Sequence, residues 1–254
     1  VFLANRTLAF TDSTDNNFSP VNLATDEVNL EEKYATASTL GLLTRKAIYR
    51  EGLGSVLTIK GHELPENPLT PNRSNPNDST AYPYGNAAQK DTVFANVDYD
   101  KLNEKVGSLF NQWNKTRAVV VIYKDQIIAE KYAEGFNKDS RILGWSMTKS
   151  IMSTVFGVMQ HQGKINVQEK APIEAWQNDD RKEITIHNLL QMNSGLEWDE
   201  NYDGISDVTK MLFLDSNMTE AQATKKSIAQ PTEVWNYSSG TSNLLSGILR
   251  DQFP

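Results

Sequence analysis

The chain has 254 residues, with 25 lysines and arginines against 32 aspartates and glutamates and a formal net charge of −7. That length accommodates one large domain or two small ones with a sizeable core, and without a Lys/Arg cluster the acidic balance argues against a nucleic-acid partner. Cysteine is absent, which excludes disulfides, thiol catalysis and thiolate metal sites, and no apolar run is long enough to cross a membrane.

The chain begins at Val1, and Val1–Ala4 is too short to be an export signal, which fits a leader already removed. Asn-x-Ser/Thr triplets at Asn5, Asn17, Asn72, Asn77, Asn114, Asn217 and Asn236 read as the product of an Asn/Ser/Thr-rich composition rather than as glycan acceptors. Residues 1–95 read as an extension wrapped on a domain. Their first thirty residues are polar and irregular. Thr44–Arg50 and Ser55–Ile59 read as short strands around Gly52 and Gly54. Glu63–Asn86, rich in Pro, Asn and Ser, reads as a surface loop.

From Asp98 or Asp100 to Trp113, an apolar stripe of Leu102, Val106, Leu109, Phe110 and Trp113 predicts a helix. Ala118–Tyr123 and Ile127–Tyr132 are β-rich runs around the polar Lys124-Asp125-Gln126, which predicts an antiparallel hairpin. A buried helix starting at Ser146 follows, apolar on nearly every side, with Gly163 as its C-cap. Glu183–Leu196 predicts a short helix capped by Thr185 and stopped by Asn193-Ser194-Gly195. The loop bearing Glu197, Asp199, Glu200 and Asp203 reads as a solvated acidic surface. Two more short helices are predicted at 206–214 and 219–228, and an amphipathic one at 241–249.

The chemistry concentrates in Ser146-Met147-Thr148-Lys149. Three positions apart on a helix, Ser146 and Lys149 share a face within hydrogen-bonding reach. A serine hydroxyl is a weak nucleophile until a neighbour takes its proton, which an unprotonated amine can do. The helix N-terminus adds free N–H groups suited to a developing oxyanion. On spacing alone a Ser-x-x-Lys match arises about once by chance in such a chain, and an N-cap serine is the plain alternative.

Context narrows this. A hairpin precedes Ser146–Lys149. Ile184-Thr185-Ile186-His187-Asn188-Leu189-Leu190, continued by Ser194-Gly195-Leu196, is similar to a Thr-Ile-x-x-Leu-Leu…Ser-Gly-Leu helix, and Tyr237-Ser238-Ser239 falls where a Tyr-x-Asn motif would stand. In this order the three features resemble the serine β-lactamase and penicillin-binding-protein superfamily. The likeness is to the class C β-lactamase-like hydrolases, a group that includes esterases and 6-aminohexanoate-dimer hydrolases, in their N-terminal portion.

The resemblance covers residues 96–254 and implies an α/β (α+β) fold, a mainly antiparallel sheet flanked by helices with an all-helical subdomain. It implies Ser146 as the nucleophile of an acyl-enzyme, Lys149 as its proton acceptor, and Tyr237 as the acid/base that protonates the leaving group and later activates water. Trp145, Ser239, Asn243 and the Trp198 loop are the implied substrate contacts, although the tryptophans, Trp235 included, serve equally well as packing. The implied substrate is a small amide or ester, with neither cofactor nor metal; His62, His161 and His187 lack ligand spacing. The implied setting is periplasmic or secreted, in a bacterium.

Two departures shape the expectation. Ser239 stands where many relatives carry Asn, which favours an esterase or amidase over an efficient β-lactamase. The sequence stops at Pro254, before the closing strands and the Lys/His-Thr/Ser-Gly motif of relatives. A C-terminal segment of the same protein is therefore expected to complete the domain. A non-catalytic or weakly acylating binding or sensor domain of the same fold is the alternative.

Overall fold

A computed structural model describes residues 1–72 and 79–252. Asn77, part of the loop expected over Glu63–Asn86, and Pro254 lie outside the described residues. In chain order the elements are α1 (Leu8–Thr14), β1 (Ala24–Asn29), β2 (Tyr34–Thr39), β3 (Leu43–Arg50), β4 (Gly54–Leu57), α2 (Tyr99–Ser108), β5 (Ala118–Tyr123), β6 (Gln126–Tyr132), α3 (Thr148–His161), α4 (Ile186–Leu190), α5 (Asp207–Phe213), α6 (Met218–Ala223) and α7 (Ser239–Arg250). Helices mix with antiparallel sheet as the sequence predicts. The sheet comes in two pieces, a four-stranded one in the order β1-β2-β3-β4 and a two-stranded one of β5 and β6. No helix among the described residues is long and apolar enough to cross a membrane.

The chain forms two compact units interleaved in sequence. One comprises Val1–Asn22, Arg50–Gly54 and Asn67–Ile142. Its first residues are not irregular, because Thr7 caps α1 by accepting the Phe10 N–H. Asp98 caps α2 by accepting the Lys101 N–H at 2.9 Å, as its position predicts. α2 stops at Ser108, short of the predicted Trp113, because Asn111 Oδ1 takes the N–H groups of Trp113 and Asn114 into a turn. Trp113 is left exposed, and Val106 is the residue of the stripe that is fully buried. The β5–β6 hairpin turns through Lys124 and Asp125, both at positive φ, the geometry that matches the right-handed twist of paired strands. Gln126 therefore pairs with Tyr123 instead of joining the turn.

The other unit comprises Leu23–Tyr49, Ser55–Glu66 and Leu143–Pro254. β1 and β2 pair antiparallel, as do β2 and β3. The sequence reading finds β3 and β4 but misses β1 and β2, whose Ala, Thr and Ser residues carry little hydrophobic alternation. Arg45 donates to the Phe213 carbonyl at 2.7 Å and so ties β3 to the end of α5.

The core of this unit joins Phe156 of α3, Trp176, Ile184, Leu189 of α4, Leu196, and Leu244, Leu245 and Ile248 of α7. α3 is buried only at Phe156 and Met159, while Ile151 and Val158 are exposed. This corrects the expectation of a buried helix, since the described residues pack against one face of it. Gly163, at positive φ, ends α3 as predicted. Its N–H bonds Gln160 and the Lys164 N–H bonds Met159, the paired contacts of a glycine-terminated helix.

Thr185 caps α4 in a reciprocal box with Asn188, and Ser206 caps α5 in another with Thr209. α6 ends at Ala223, not near residue 228, because the chain straightens so that Ser227 pairs with Leu196. Gly195 makes that approach possible: its φ is +76°, and a Cβ there would lie 2.1 Å from the Ala229 carbonyl oxygen. α7 begins two residues earlier than predicted, with Ser238 accepting the Thr241 N–H at 2.9 Å.

Candidate active site

Ser146 is not an N-cap. It sits in a 3₁₀ turn, Trp145–Met147, that runs into α3 and carries no side-chain cap bond. Lys149 follows in the first turn of α3, three positions on from Ser146. Lys149 Nζ lies 3.0 Å from Ser146 Oγ. Trp145, just before the serine, has φ +44°, a left-handed conformation that costs a bulky residue free energy and that structures tend to retain at functional turns. Thr148 helps to fix the turn by donating its hydroxyl to the Trp145 carbonyl at 2.7 Å. Ser146 is exposed and Lys149 half-buried.

The second wall comes from the start of α7. Lys149 Nζ also donates to Ser239 Oγ, at 3.1 Å. Ser239 in turn donates its hydroxyl to Glu200 Oε1 and its backbone N–H to Glu200 Oε2 at 2.8 Å. Glu200 further accepts the Trp198 indole N–H at 2.5 Å and the Tyr202 hydroxyl at 3.1 Å. Burial first, and the Glu200 charge after it, push the Tyr202 phenol above its ordinary value, while a hydrogen bond with Ser239 works the other way. Tyr237 is half-buried and presents its ring to Lys149, whose Nζ lies 4.8 Å from the ring centroid.

An open cleft of about 240 Å³ runs over these groups, lined among others by Trp145, Ser146, Lys149, Tyr202, Ser239 and Asn243. Thus Ser146, Lys149 and Ser239 meet directly, with Tyr237 against the lysine. Trp145 lines the cleft and is largely exposed. Asn243 lines it too, but its amide is tied to the Ser239 carbonyl at 2.9 Å. Trp198 lies behind the cleft at 7% exposure, against Gly240, where an added Cβ would lie 2.5 Å from its ring. Trp235 is exposed beside Tyr237, with ring centroids 6.4 Å apart.

The sequence reading of 197–203 as a solvated acidic surface is corrected at Glu200, which turns inward to the site. Its signal is weak: Trp198 and Tyr202 stand two residues to either side, and four acidic residues crowd the segment. Among the described residues no group of three or more His, Asp or Glu is placed to hold a metal ion.

A family model described as Beta-lactamase matches residues 108–252, more than half of the chain. No curated protein matches. Among solved structures, a Bacillus anthracis protein provisionally assigned as a 6-aminohexanoate-dimer hydrolase is similar at 21% identity, with a TM-score of 0.48 over 60% of this chain. This chain covers 42% of that protein's length.

Proposed function

The chain belongs to the β-lactamase family, and from that premise we propose that it is a serine hydrolase that forms an acyl-enzyme on a small amide or ester. Ser146 Oγ attacks the carbonyl carbon while its proton passes to Lys149 Nζ. The C–O bond forms as the O–H bond breaks, and negative charge collects on the carbonyl oxygen. The backbone N–H of Ser146 suits that charge, those of Met147 and Thr148 being taken within the turn. Collapse expels the amine or alcohol, which takes a proton from the Tyr237–Lys149 pair. Water then reverses the sequence and frees the acid.

The observation that carries this reading is Lys149 Nζ at 3.0 Å from Ser146 Oγ on the floor of an open cleft. A nucleophile within hydrogen-bonding reach of a candidate base, where substrate can arrive, is the arrangement nucleophilic catalysis needs. Ser239, a hydroxyl where many relatives carry an amide, supports ester or amide substrates over efficient β-lactam turnover. A second reading, a binding or sensor domain that acylates slowly, is favoured by one placement. Tyr237 offers Lys149 its ring face, whereas deacylation asks for its hydroxyl.

The test is to treat the protein with a fluorophosphonate and map the adduct by peptide mass spectrometry, then to follow turnover of a p-nitrophenyl ester. Label on Ser146 with multiple turnovers is expected. Label on Ser146 with a single burst selects the sensor reading, and label elsewhere, or label that survives Ser146→Ala, overturns both.

A further inference from the structure

We propose that Glu200 is a positioning residue for this site, holding Lys149 in register with Ser146 by fixing the direction of the Ser239 hydroxyl. The inference rests on the acylation reading above and adds to it a residue that never touches substrate.

A serine hydroxyl has one proton to donate and two lone pairs to offer. Ser239 spends its proton on Glu200 Oε1. Towards Lys149 it can then only accept, and it does so at 3.1 Å. This direction matters when the amine is neutral. A neutral amine has two N–H groups and one lone pair, and acylation needs that lone pair aimed at the Ser146 hydroxyl. Were the Ser239 proton free to rotate, it could donate to the same lone pair and occupy the base. With the proton committed to Glu200, an N–H of Lys149 is drawn to Ser239 and the lone pair is left for Ser146, 3.0 Å away.

Glu200 is itself held hard. Its Oε2 accepts the Trp198 indole N–H at 2.5 Å and the Ser239 N–H at 2.8 Å, and its Oε1 accepts the hydroxyls of Tyr202 and Ser239. Four donors converge on one half-buried side chain, and two of them come from Ser239. Hydrogen bonds to a charged group are individually stronger than neutral ones, so the Ser239 hydroxyl favours Glu200 over the Tyr202 oxygen with which it also interacts. The carboxylate also opposes the positive charge that Lys149 gains on taking the proton, much as the carboxylate behind a catalytic histidine does. The proton stops at Lys149 before passing to the leaving group, and Glu200 takes none.

The experiment compares wild type, Glu200→Gln, Ser239→Ala and the double variant by fluorophosphonate labelling of Ser146, separating the maximal labelling rate from the half-saturating concentration. Glu200→Gln is expected to slow the maximal rate about ten- to a hundred-fold, by analogy with the loss of partners that orient metal ligands, with half-saturation unchanged. In the Ser239→Ala background the same change should do almost nothing, because the rotor it acts through is gone. A wild-type rate in Glu200→Gln, or an equal loss in both backgrounds, overturns the proposal. Should Glu200→Gln fold poorly, Glu200→Asp keeps the charge but withdraws the oxygens by a bond length. It is expected to slow the maximal rate, and an unchanged rate overturns the proposal. Crystal structures of unliganded wild type and Glu200→Gln read the positioning without any activity. Lys149 Nζ should lie within hydrogen-bonding reach of Ser146 Oγ in the first and turn away from it, onto Ser239 alone, in the second. A lysine unmoved in the variant overturns the proposal. A displaced lysine in a protein that takes no label supports the positioning and defeats the hydrolase reading instead.

Discussion

Lys149 reaches Ser239 across 90 positions of sequence, Nζ to Oγ at 3.1 Å, while lying 3.0 Å from the Oγ of Ser146 three residues away. A local turn and a distant helix start thus meet on one nitrogen. The local half is fixed by the 3₁₀ entry into α3, and the distant half by the core that seats α7 through Leu244, Leu245 and Ile248.

On the proposed mechanism the loss of Lys149 should be large. Lys149→Ala is expected to slow acylation of Ser146 by about a hundred- to ten-thousand-fold, the span of general acid–base effects. Tyr237→Phe should slow release of the acyl group more than its formation. Residues that relay one proton act as a unit, so the double variant should be scarcely worse than the poorer single. Stopped-flow traces of burst and steady state with a p-nitrophenyl ester check this. Multiplying losses would show that the two side chains act separately.

Backbone geometry predicts a contrast between two glycines. Both Gly163 and Gly195 have positive φ, but a Cβ on Gly163 meets nothing within 4 Å, whereas one on Gly195 meets the Ala229 oxygen at 2.1 Å. Gly163→Ala should cost only the left-handed penalty of about 1–2 kcal/mol. Gly195→Ala adds the displacement of the 227–230 segment, about 1–3 kcal/mol more by overpacking. Urea midpoints of the two variants measure the difference, and equal midpoints would contradict the close approach.

These two glycines also show what was legible in the sequence. Gly163 as a helix stop is a local signal and holds, whereas α4 already ends at Leu190, ahead of the expected stop at Asn193-Ser194-Gly195. Thr185, Asp98 and the β5–β6 hairpin are local too, and the structure places them as the sequence predicts, apart from Gln126. Glu200 reads as solvated because its flanking Trp198 and Tyr202 set it apart only weakly from Glu197 and Asp203. Only the distant Ser239 makes it part of the site. Ends of helices fail for a related reason. α2 and α6 stop early where Asn111 and the Leu196–Ser227 pairing offer the backbone other partners, and amphipathic spacing carries no record of those partners. β1 and β2 stay hidden because their register depends on one another more than on hydrophobic alternation.

Acid should weaken the helical unit through Asp207. Burial raises the Asp207 carboxyl, but the Lys225 ammonium and the Asp199 N–H outweigh it and hold the group below its ordinary 3.8. Its bond to Lys225 is 2.5 Å long, between side chains 18% and 25% exposed. A carboxyl depressed by folding adds stability above its unfolded value and loses it as pH falls through the folded one. Asp207→Asn is therefore expected to lower the melting temperature near neutrality and to flatten its decline below about pH 4. Glu183, also depressed by its lysine partner Lys170, is 54% exposed, and a solvent-screened pair contributes little. Glu183→Gln should leave both features nearly unchanged. Melting curves from about pH 2 to 7, which take in both ordinary and depressed carboxyls, compare the two.

Trp198 allows the roles of wall and anchor to be told apart. As a substrate contact it would be felt in half-saturation, but it lies at 7% exposure and its indole N–H is bound to Glu200 Oε2 at 2.5 Å. Trp198→Phe keeps a ring against Gly240 and removes that donor. A lost hydrogen bond to a charged group costs about 1.5–3 kcal/mol, so the variant should unfold at lower denaturant. With Glu200 less firmly held, the maximal labelling rate at Ser146 should fall several-fold while half-saturation stays constant. Trp198→Leu, which also empties part of the space beside Gly240, should be less stable still, with the same split between rate and half-saturation. If either variant instead raises half-saturation at an unchanged maximal rate, the indole meets the substrate and the anchoring account of this residue is wrong.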